Sequence, residues 1–274
     1  MIDTECVRFL QWALPQLHMR WPGFRKVRKQ VCKRLSRRLK ELELPDTDAY
    51  RQHLSRHPEE WQTLDRLCRV VVTRFYRDKL VFATLVEKVL PELATAALAV
   101  GDKTLRCWSI GSASGEEPYT LAILWQHLLA PRFPGLELSV LATEVDPRLL
   151  ARSQKACYPA GTIRNLPGDL RNAAFSEAGN QYCLKPAYRS LVEFRQQDVR
   201  TALPGGRFHM ILCRNLVFTY FDEMQQEKIL AELQAKLLPG GWLVVGVRET
   251  LPAGAGGLTR VSERLGLYRK ESDA

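Results

Sequence analysis

The sequence predicts an α/β fold: a mostly parallel sheet with helices on both faces, preceded by a small all-helical domain. Three observations carry it. Apolar residues recur at three- and four-residue steps within residues 1–95, short apolar segments alternate with helical patterns from Leu105 onward, and a glycine-bounded turn follows the first of those segments. With 274 residues, 46% hydrophobic and 26% charged, the chain is long enough for two domains and lies in the globular range. No apolar run approaches the roughly 20 residues that span a bilayer. The first five residues, Met-Ile-Asp-Thr-Glu, are acidic where a secretory leader is basic, so a cytoplasmic protein is expected.

In the helical part, Val27, Val31, Leu35, Leu39 and Leu42 make one amphipathic face. The same stretch carries Arg20, Arg25, Lys26, Arg28, Lys29, Lys33, Arg34, Arg37, Arg38 and Lys40 with no acidic residue among them. The net charge of +10 is concentrated here. An unbalanced positive field of this kind attracts an acidic partner and speeds its encounter. Leu44-Pro45-Asp46 ends the helix, and Thr47 or Asp48 could cap the next. Tyr50 and Leu54, then Trp61, Leu64, Leu67 and Cys68, predict two further helices. The first domain is set at residues 1–95.

The second domain, 96–274, is read as strand 105–110, helix through 129, a break at 131–135, strand 136–143 and helix 147–157. Strands at 192–194, 210–213 and 242–245 follow, with a helix over 223–238 stopped by Pro239-Gly240-Gly241. Residues 258–269 read as one closing antiparallel strand. The cysteines, Cys6, Cys32, Cys68, Cys107, Cys157, Cys183 and Cys213, stand singly and are seven in number. An odd, irregular set predicts neither a disulfide framework nor a zinc site, but mostly buried thiols. His53 and His57 are at helical spacing with no third ligand placed to join them, so no metal is expected.

The chemistry begins at Gly111-Ser-Ala-Ser-Gly115-Glu-Glu-Pro, between strand and helix. In a doubly wound sheet, ligands bind there, at the carboxyl ends of the strands. The turn is neither a phosphate loop nor a full G-x-G-x-x-G. Glu116 and Glu117 at the helix start would repel a pyrophosphate and suit a ligand bearing a positive group or hydroxyls. Glu144 ends the second strand, the usual place for a carboxylate on ribose hydroxyls, with Asp146 competing for the role. Together these features point to a nucleoside cofactor without phosphate, namely S-adenosylmethionine.

The chain resembles the chemotaxis-receptor glutamate methyltransferases (CheR type) over nearly its whole length. The matching segments are Thr73-Arg-Phe-Tyr-Arg77-Asp78, Trp108-Ser-Ile-Gly-Ser-Ala-Ser-Gly115-Glu-Glu117-Pro-Tyr119, Thr143-Glu-Val-Asp146, and Cys213-Arg-Asn215 followed by Tyr220-Phe-Asp222. Pro239-Gly-Gly241 and Gly246 match the end of the fold. The resemblance implies a Rossmann-like S-adenosylmethionine-dependent methyltransferase sheet behind the helical domain, with a small β-subdomain inserted near 160–190. It implies a cofactor site of Thr73, Arg77, Gly111, Glu117, Glu144, Val145, Asp198, Val199, Asn215 and Leu216. Within it Glu117 meets the aminocarboxypropyl end, Glu144 the ribose and Asp198 the adenine neighbourhood. Arg77 and Tyr220 are the implied catalytic residues. The basic helix, around Arg34, Arg37 and Arg38, would dock on an acidic helical receptor bundle; nucleic acid is not the expected partner and no membrane insertion is expected.

The chemistry implied is modest. A glutamate with a reference pKa of about 4.3 is already ionised near neutrality, so no general base is required. The protein must supply alignment and exclude water. Arg77 could orient the incoming carboxylate through a bidentate pair and Tyr220 could hydrogen-bond it. The departures bear on the acceptor more than on the cofactor. Glu144 stands for the family's Asp, Asp198 for its Asn, Val71 for an Asn, and Gly246-Val247-Arg248-Glu249 for Gly-His-Ser-Glu. Tyr220 lies one residue further from Asn215 than usual, and the segment between Tyr158 and Val192 is short. A methyltransferase for a small-molecule or other acceptor, and a non-catalytic sensor of S-adenosylmethionine or S-adenosylhomocysteine, are therefore the competing readings.

Overall fold

A computed structural model describes residues 2–253, 256–262 and 264–271. The chain forms two compact units, Met1–Val72 with Leu216–Gln226, and Thr73–Asn215 with Glu227–Ala274.

The first unit is helical: α1 (Asp3–Gln16), α2 (Trp21–Phe24), α3 (Arg28–Glu41), α4 (Thr47–Arg56) and α5 (Glu60–Cys68). Its core holds Phe9, Leu10, Leu14, Val31, Leu35, Tyr50, Leu54 and Leu64. Asp46 caps α4 by accepting the Ala49 N–H at 2.8 Å, one residue before the two candidates named from sequence. The returning segment is stitched to the start of the unit by backbone bonds. Arg20 N–H donates to the Tyr220 carbonyl (2.8 Å) and Asp222 N–H to that of His18 (2.9 Å).

α3 corrects the expectation for the basic helix. Arg34 turns inward and donates to the Leu67 carbonyl at 3.1 Å and to that of Arg69. Arg38 makes a two-pronged pair with Glu60 (2.8 and 2.7 Å), whose side chain is only 6% exposed and also accepts the Tyr50 hydroxyl proton. Of the three arginines expected to meet a partner, only Arg37, with its side chain 70% exposed, faces solvent. The outward face instead reads Lys29, Lys33, Arg37 and Lys40.

The second unit carries ten strands among the described residues: β1 (Thr104–Ile110), β2 (Glu137–Glu144), β3 (Cys157–Pro159), β4 (Phe175–Ala178), β5 (Gln181–Leu184), β6 (Val192–Gln196), β7 (Phe208–Cys213), β8 (Leu237–Val245), β9 (Leu258–Ser262) and β10 (Leu267–Lys270). Seven form one sheet in the order β6-β2-β1-β7-β8-β10-β9, parallel through β8 and antiparallel beyond it. The chain runs outward from β1 through β2 to β6 and then crosses to β7 on the other side of β1, so the topological switch lies at the carboxyl end of β1. The other three strands make a small antiparallel sheet, β3-β5-β4.

Two differences from the sequence reading have local causes. α6 (Lys79–Thr84), the π-helical turn Leu85–Val89 and α7 (Leu90–Ala99) pack Val81, Phe82, Leu85, Val89, Leu90 and Leu93 into the same core as Leu105, Leu121 and Leu138, so the unit begins at Thr73 and not near residue 96. The tail is two strands because Gly266, at φ +63°, turns the chain between them; a Cβ there would lie 2.7 Å from the Val245 carbonyl oxygen.

The cysteines also differ. Cys6 and Cys32 are disulfide-bonded between α1 and α3, and Cys157 and Cys183, directly opposed on β3 and β5, are bonded as well. Each pair is 26 residues apart, and only the folded packing of their elements brings them together. Cys68, Cys107 and Cys213 are buried free thiols. Among the described residues no helix is long and apolar enough to cross a membrane.

Candidate active site

The predicted residues of the second unit gather at the carboxyl ends of adjacent parallel strands. Gly111 follows β1, Glu144 ends β2, Asp198 comes two residues after β6, and Asn215 two after β7. The β1 turn alternates hands: Gly111 (φ +65°), Ala113 (φ +50°) and Gly115 (φ +92°) are left-handed, with the intervening serines not. Ala113 has a Cβ, so this conformation costs it about 1 kcal/mol and is held only by its surroundings.

Those surroundings are the carboxylate of Glu144. One oxygen accepts the Ala113 N–H at 3.0 Å; the other accepts those of Val145 (2.8 Å) and Asp146 (3.0 Å). Asp146, its competitor, caps α9 (Pro147–Lys155) by accepting the Arg148 N–H and pairs with the Arg148 guanidinium. Ser112 N–H donates to the Thr143 carbonyl at 3.0 Å, locking the turn to β2.

The two glutamates opening α8 (Glu116–Leu124) face different partners. Glu116 is buried, accepts the Ser114 hydroxyl (2.9 Å) and is hydrogen-bonded by Thr73; burial raises its carboxyl pKa. Glu117 accepts the Ser109 hydroxyl at 2.8 Å and the guanidinium of Arg214 at 2.9 Å. Arg214, with its side chain 3% exposed, also meets Asp78 at 2.6 Å and the Arg77 carbonyl at 3.3 Å. Arg77 itself sits between two left-handed residues, Tyr76 (φ +55°) and Asp78 (φ +60°).

Asn215, left-handed at φ +57°, is held by Glu249, whose oxygen accepts the N–H groups of Asn215 (2.8 Å) and Gly246 (2.6 Å). Asp198 is engaged by Arg200 through both its oxygens (3.0 and 2.7 Å), and the neighbouring Val199 is buried. Leu216 and Tyr220 fall in the helical unit, where the Tyr220 ring lies 5.0 Å from that of Phe24. Sequence reasoning missed Arg214 and the anchoring role of Glu249, although both lie inside quoted motifs.

The residues present suit an adenosyl sulfonium. The Ser112 hydroxyl is buried without a partner among the described residues, three residues of the turn are left-handed, and Glu117 and Glu144 supply carboxylate acceptors beside it.

The sequence matches the family described as "CheR methyltransferase, SAM binding domain" over residues 71–264. Similar proteins include an uncharacterized 104.1 kDa protein of Rhodobacter capsulatus, 33% identical over 81% of this chain and 23% of that protein. Chemotaxis protein methyltransferase 1 of Vibrio cholerae is 33% identical over 65% of this chain and 64% of its own. Chemotaxis protein methyltransferase 2 of Pseudomonas aeruginosa is 31% identical over 80% and 77%. The chain thus spans about a quarter of the first of these and somewhat under two thirds of the second. Among solved structures, the N-methyltransferase NodS of Bradyrhizobium japonicum WM9 is 14% identical over 71% of this chain and 90% of that one, with a TM-score of 0.39. The match covers well over half of the chain and takes in the turn, Glu144 and the Cys213-Arg-Asn215 strand end: this protein belongs to the CheR methyltransferase family and carries its S-adenosylmethionine-binding domain.

Proposed function

We propose that the protein transfers a methyl group from S-adenosylmethionine to glutamate side chains of an acidic, helical, chemoreceptor-like protein in the cytoplasm, forming γ-glutamyl methyl esters. The observation that carries the reading is the carboxylate-lined turn at the switch point, with Glu144 fixing its backbone and Glu117, half-buried, accepting the Ser109 hydroxyl at the end of β1. The cofactor, when bound, supplies an electrophilic methyl group on a sulfonium. Glu144 would hold the ribose hydroxyls and Glu117 the amino group, with Gly111, Ser112 and Val145 lining the same face. Thr73 and Asn215 would close the site, and Asp198 and Val199 would border the adenine, with Leu216 beside it.

The acceptor carboxylate arrives ionised, so the chain has alignment to perform and no proton to remove. Arg77 would orient the carboxylate and Tyr220 would hydrogen-bond it. Too strong a pair would stabilise the charge that must be lost, so Arg77 acts by placement. The exposed row Lys29, Lys33, Arg37 and Lys40 would meet the acidic partner.

Incubation with methyl-labelled cofactor and an acidic helical receptor fragment tests the reading. Base-labile label on the fragment is the expected result. Base-stable label, or tight S-adenosylhomocysteine binding without turnover on any carboxylate, overturns it, the second in favour of a sensor.

A further inference from the structure

The residues that hold the 73–78 segment against the cofactor turn form two separate anchors. At one end, Thr73 bonds the buried carboxylate of Glu116. At the other, Arg214 reaches from the end of β7 to grip both the Asp78 carboxylate and the Arg77 carbonyl, while its other terminal nitrogen holds Glu117. Between the anchors, Phe75 N–H donates to the Thr162 carbonyl (3.1 Å) and Tyr76 N–H to the Thr120 hydroxyl (3.0 Å). Consecutive glutamates at the start of one helix therefore serve opposite ends of one segment.

The geometry of Arg214 is specific. Its guanidinium lies over the Phe82 ring, 5.3 Å from its centre, and its Nε has no partner among the described residues. A planar fork whose two terminal nitrogens bond Glu117 and Asp78 sets the angle between these carboxylates, which a single ammonium cannot do. The strained part of the segment sits where the fork acts: Tyr76 and Asp78 are both left-handed, each costing about 1 kcal/mol, so the turn around Arg77 persists only while something outside it pays that cost. The backbone carbonyl of Arg77 and the carboxylate of Asp78 are the two groups Arg214 engages there.

We propose that Arg214 is a positioning residue that couples the cofactor-holding carboxylate of Glu117 to the backbone orientation of Arg77, so that one side chain sets both. This rests on the reading of Glu117 and Arg77 given above. It concerns Arg214 and Asp78, which touch neither cofactor nor acceptor in that reading.

The test compares the wild type with Arg214→Lys and Asp78→Asn, using Arg106→Gln, a cation outside the cluster, as control. Two readouts are taken at a temperature where each variant is fully folded by circular dichroism, so that a mere loss of global stability leaves both unchanged. In calorimetry with S-adenosylhomocysteine, Arg214→Lys should bind at least tenfold more weakly and Asp78→Asn at least threefold, although Asp78 makes no contact with the ligand. In limited trypsin digestion without ligand, cleavage after Arg74 and Arg77 should quicken at least fivefold in both variants and not in the control. Wild-type affinity and wild-type cleavage rates in both variants overturn the proposal and leave the cofactor reading intact. Should the wild type bind no S-adenosylhomocysteine, the cofactor reading falls instead, and the coupling to Glu117 falls with it. If Arg214→Lys does not fold, Asp78→Asn decides by the same two measurements.

Discussion

Glu144 accepts the backbone N–H of Ala113 at 3.0 Å, so the carboxylate at the end of β2 holds in place a left-handed alanine in the turn after β1. One side chain thereby shapes the turn and ties it to the start of the next loop at Val145 and Asp146. Glu144→Gln replaces one of the two acceptor oxygens with a donor that faces backbone N–H groups. S-adenosylhomocysteine affinity should fall at least tenfold by calorimetry, and Glu144→Ala should lose in addition about 2 kcal/mol of stability in denaturant titration.

Gly246 has no room for a side chain: a Cβ would lie 2.3 Å from the Asn215 amide nitrogen and 2.7 Å from the Glu249 carboxylate. Gly246→Ala should therefore displace Asn215 and break the Glu249 anchor, destabilising the protein by about 2 kcal/mol. Weaker cofactor binding should accompany the loss. Equal urea midpoints for variant and wild type would count against this packing.

The basic helix divides into two kinds of charge. Lys29→Glu, Lys33→Glu and Arg37→Glu together should lower the initial rate on a protein acceptor at least tenfold at low salt, with S-adenosylhomocysteine affinity within twofold of wild type. Arg38→Ala should behave oppositely. It leaves the buried Glu60 carboxylate with the Tyr50 hydroxyl but without its ion-pair partner, at a cost of about 3 kcal/mol visible in thermal unfolding.

His209 carries a pH dependence of stability. Its Nδ1 accepts the Arg106 N–H at 3.0 Å, so the ring proton sits on Nε2 and is donated to Asp102 at 3.1 Å. Burial holds its pKa below the ordinary 6.5, with Arg106 nearby adding to the effect. The unfolded chain thus takes up a proton at higher pH than the folded one. Stability from this group is complete above about pH 6.5 and is lost as the pH falls through the folded value. Thermal unfolding of wild type should drop more between pH 7.5 and 5 than that of His209→Gln; parallel curves would remove His209 as the cause.

Much of the site was legible because its signals are local. The glycine turn, Glu144 and the two helix-opening glutamates each lie within a few residues of the element that positions them. Arg214 was not legible, since its partners are 97 and 136 residues away and no local pattern distinguishes it from a strand-end arginine on the surface. The inward bonds of Arg34 and Arg38 were not legible for a related reason. Periodicity identifies the apolar stripe of α3, but whether an arginine beside that stripe turns inward depends on Glu60 and on carbonyls at the end of α5. The paired cysteines were hidden by an odd total and by strand and helix contacts that the chain spacing does not encode.

The helical unit is assembled from the first 72 residues and an eleven-residue return, Leu216–Gln226, joined by the bridge between Met19 and Phe221. On the ribosome this unit is therefore completed late, after every strand through β7 has been made. The helical unit is finished only once the cofactor turn has already been synthesised, and a fragment ending at Val72 would lack the segment that completes it.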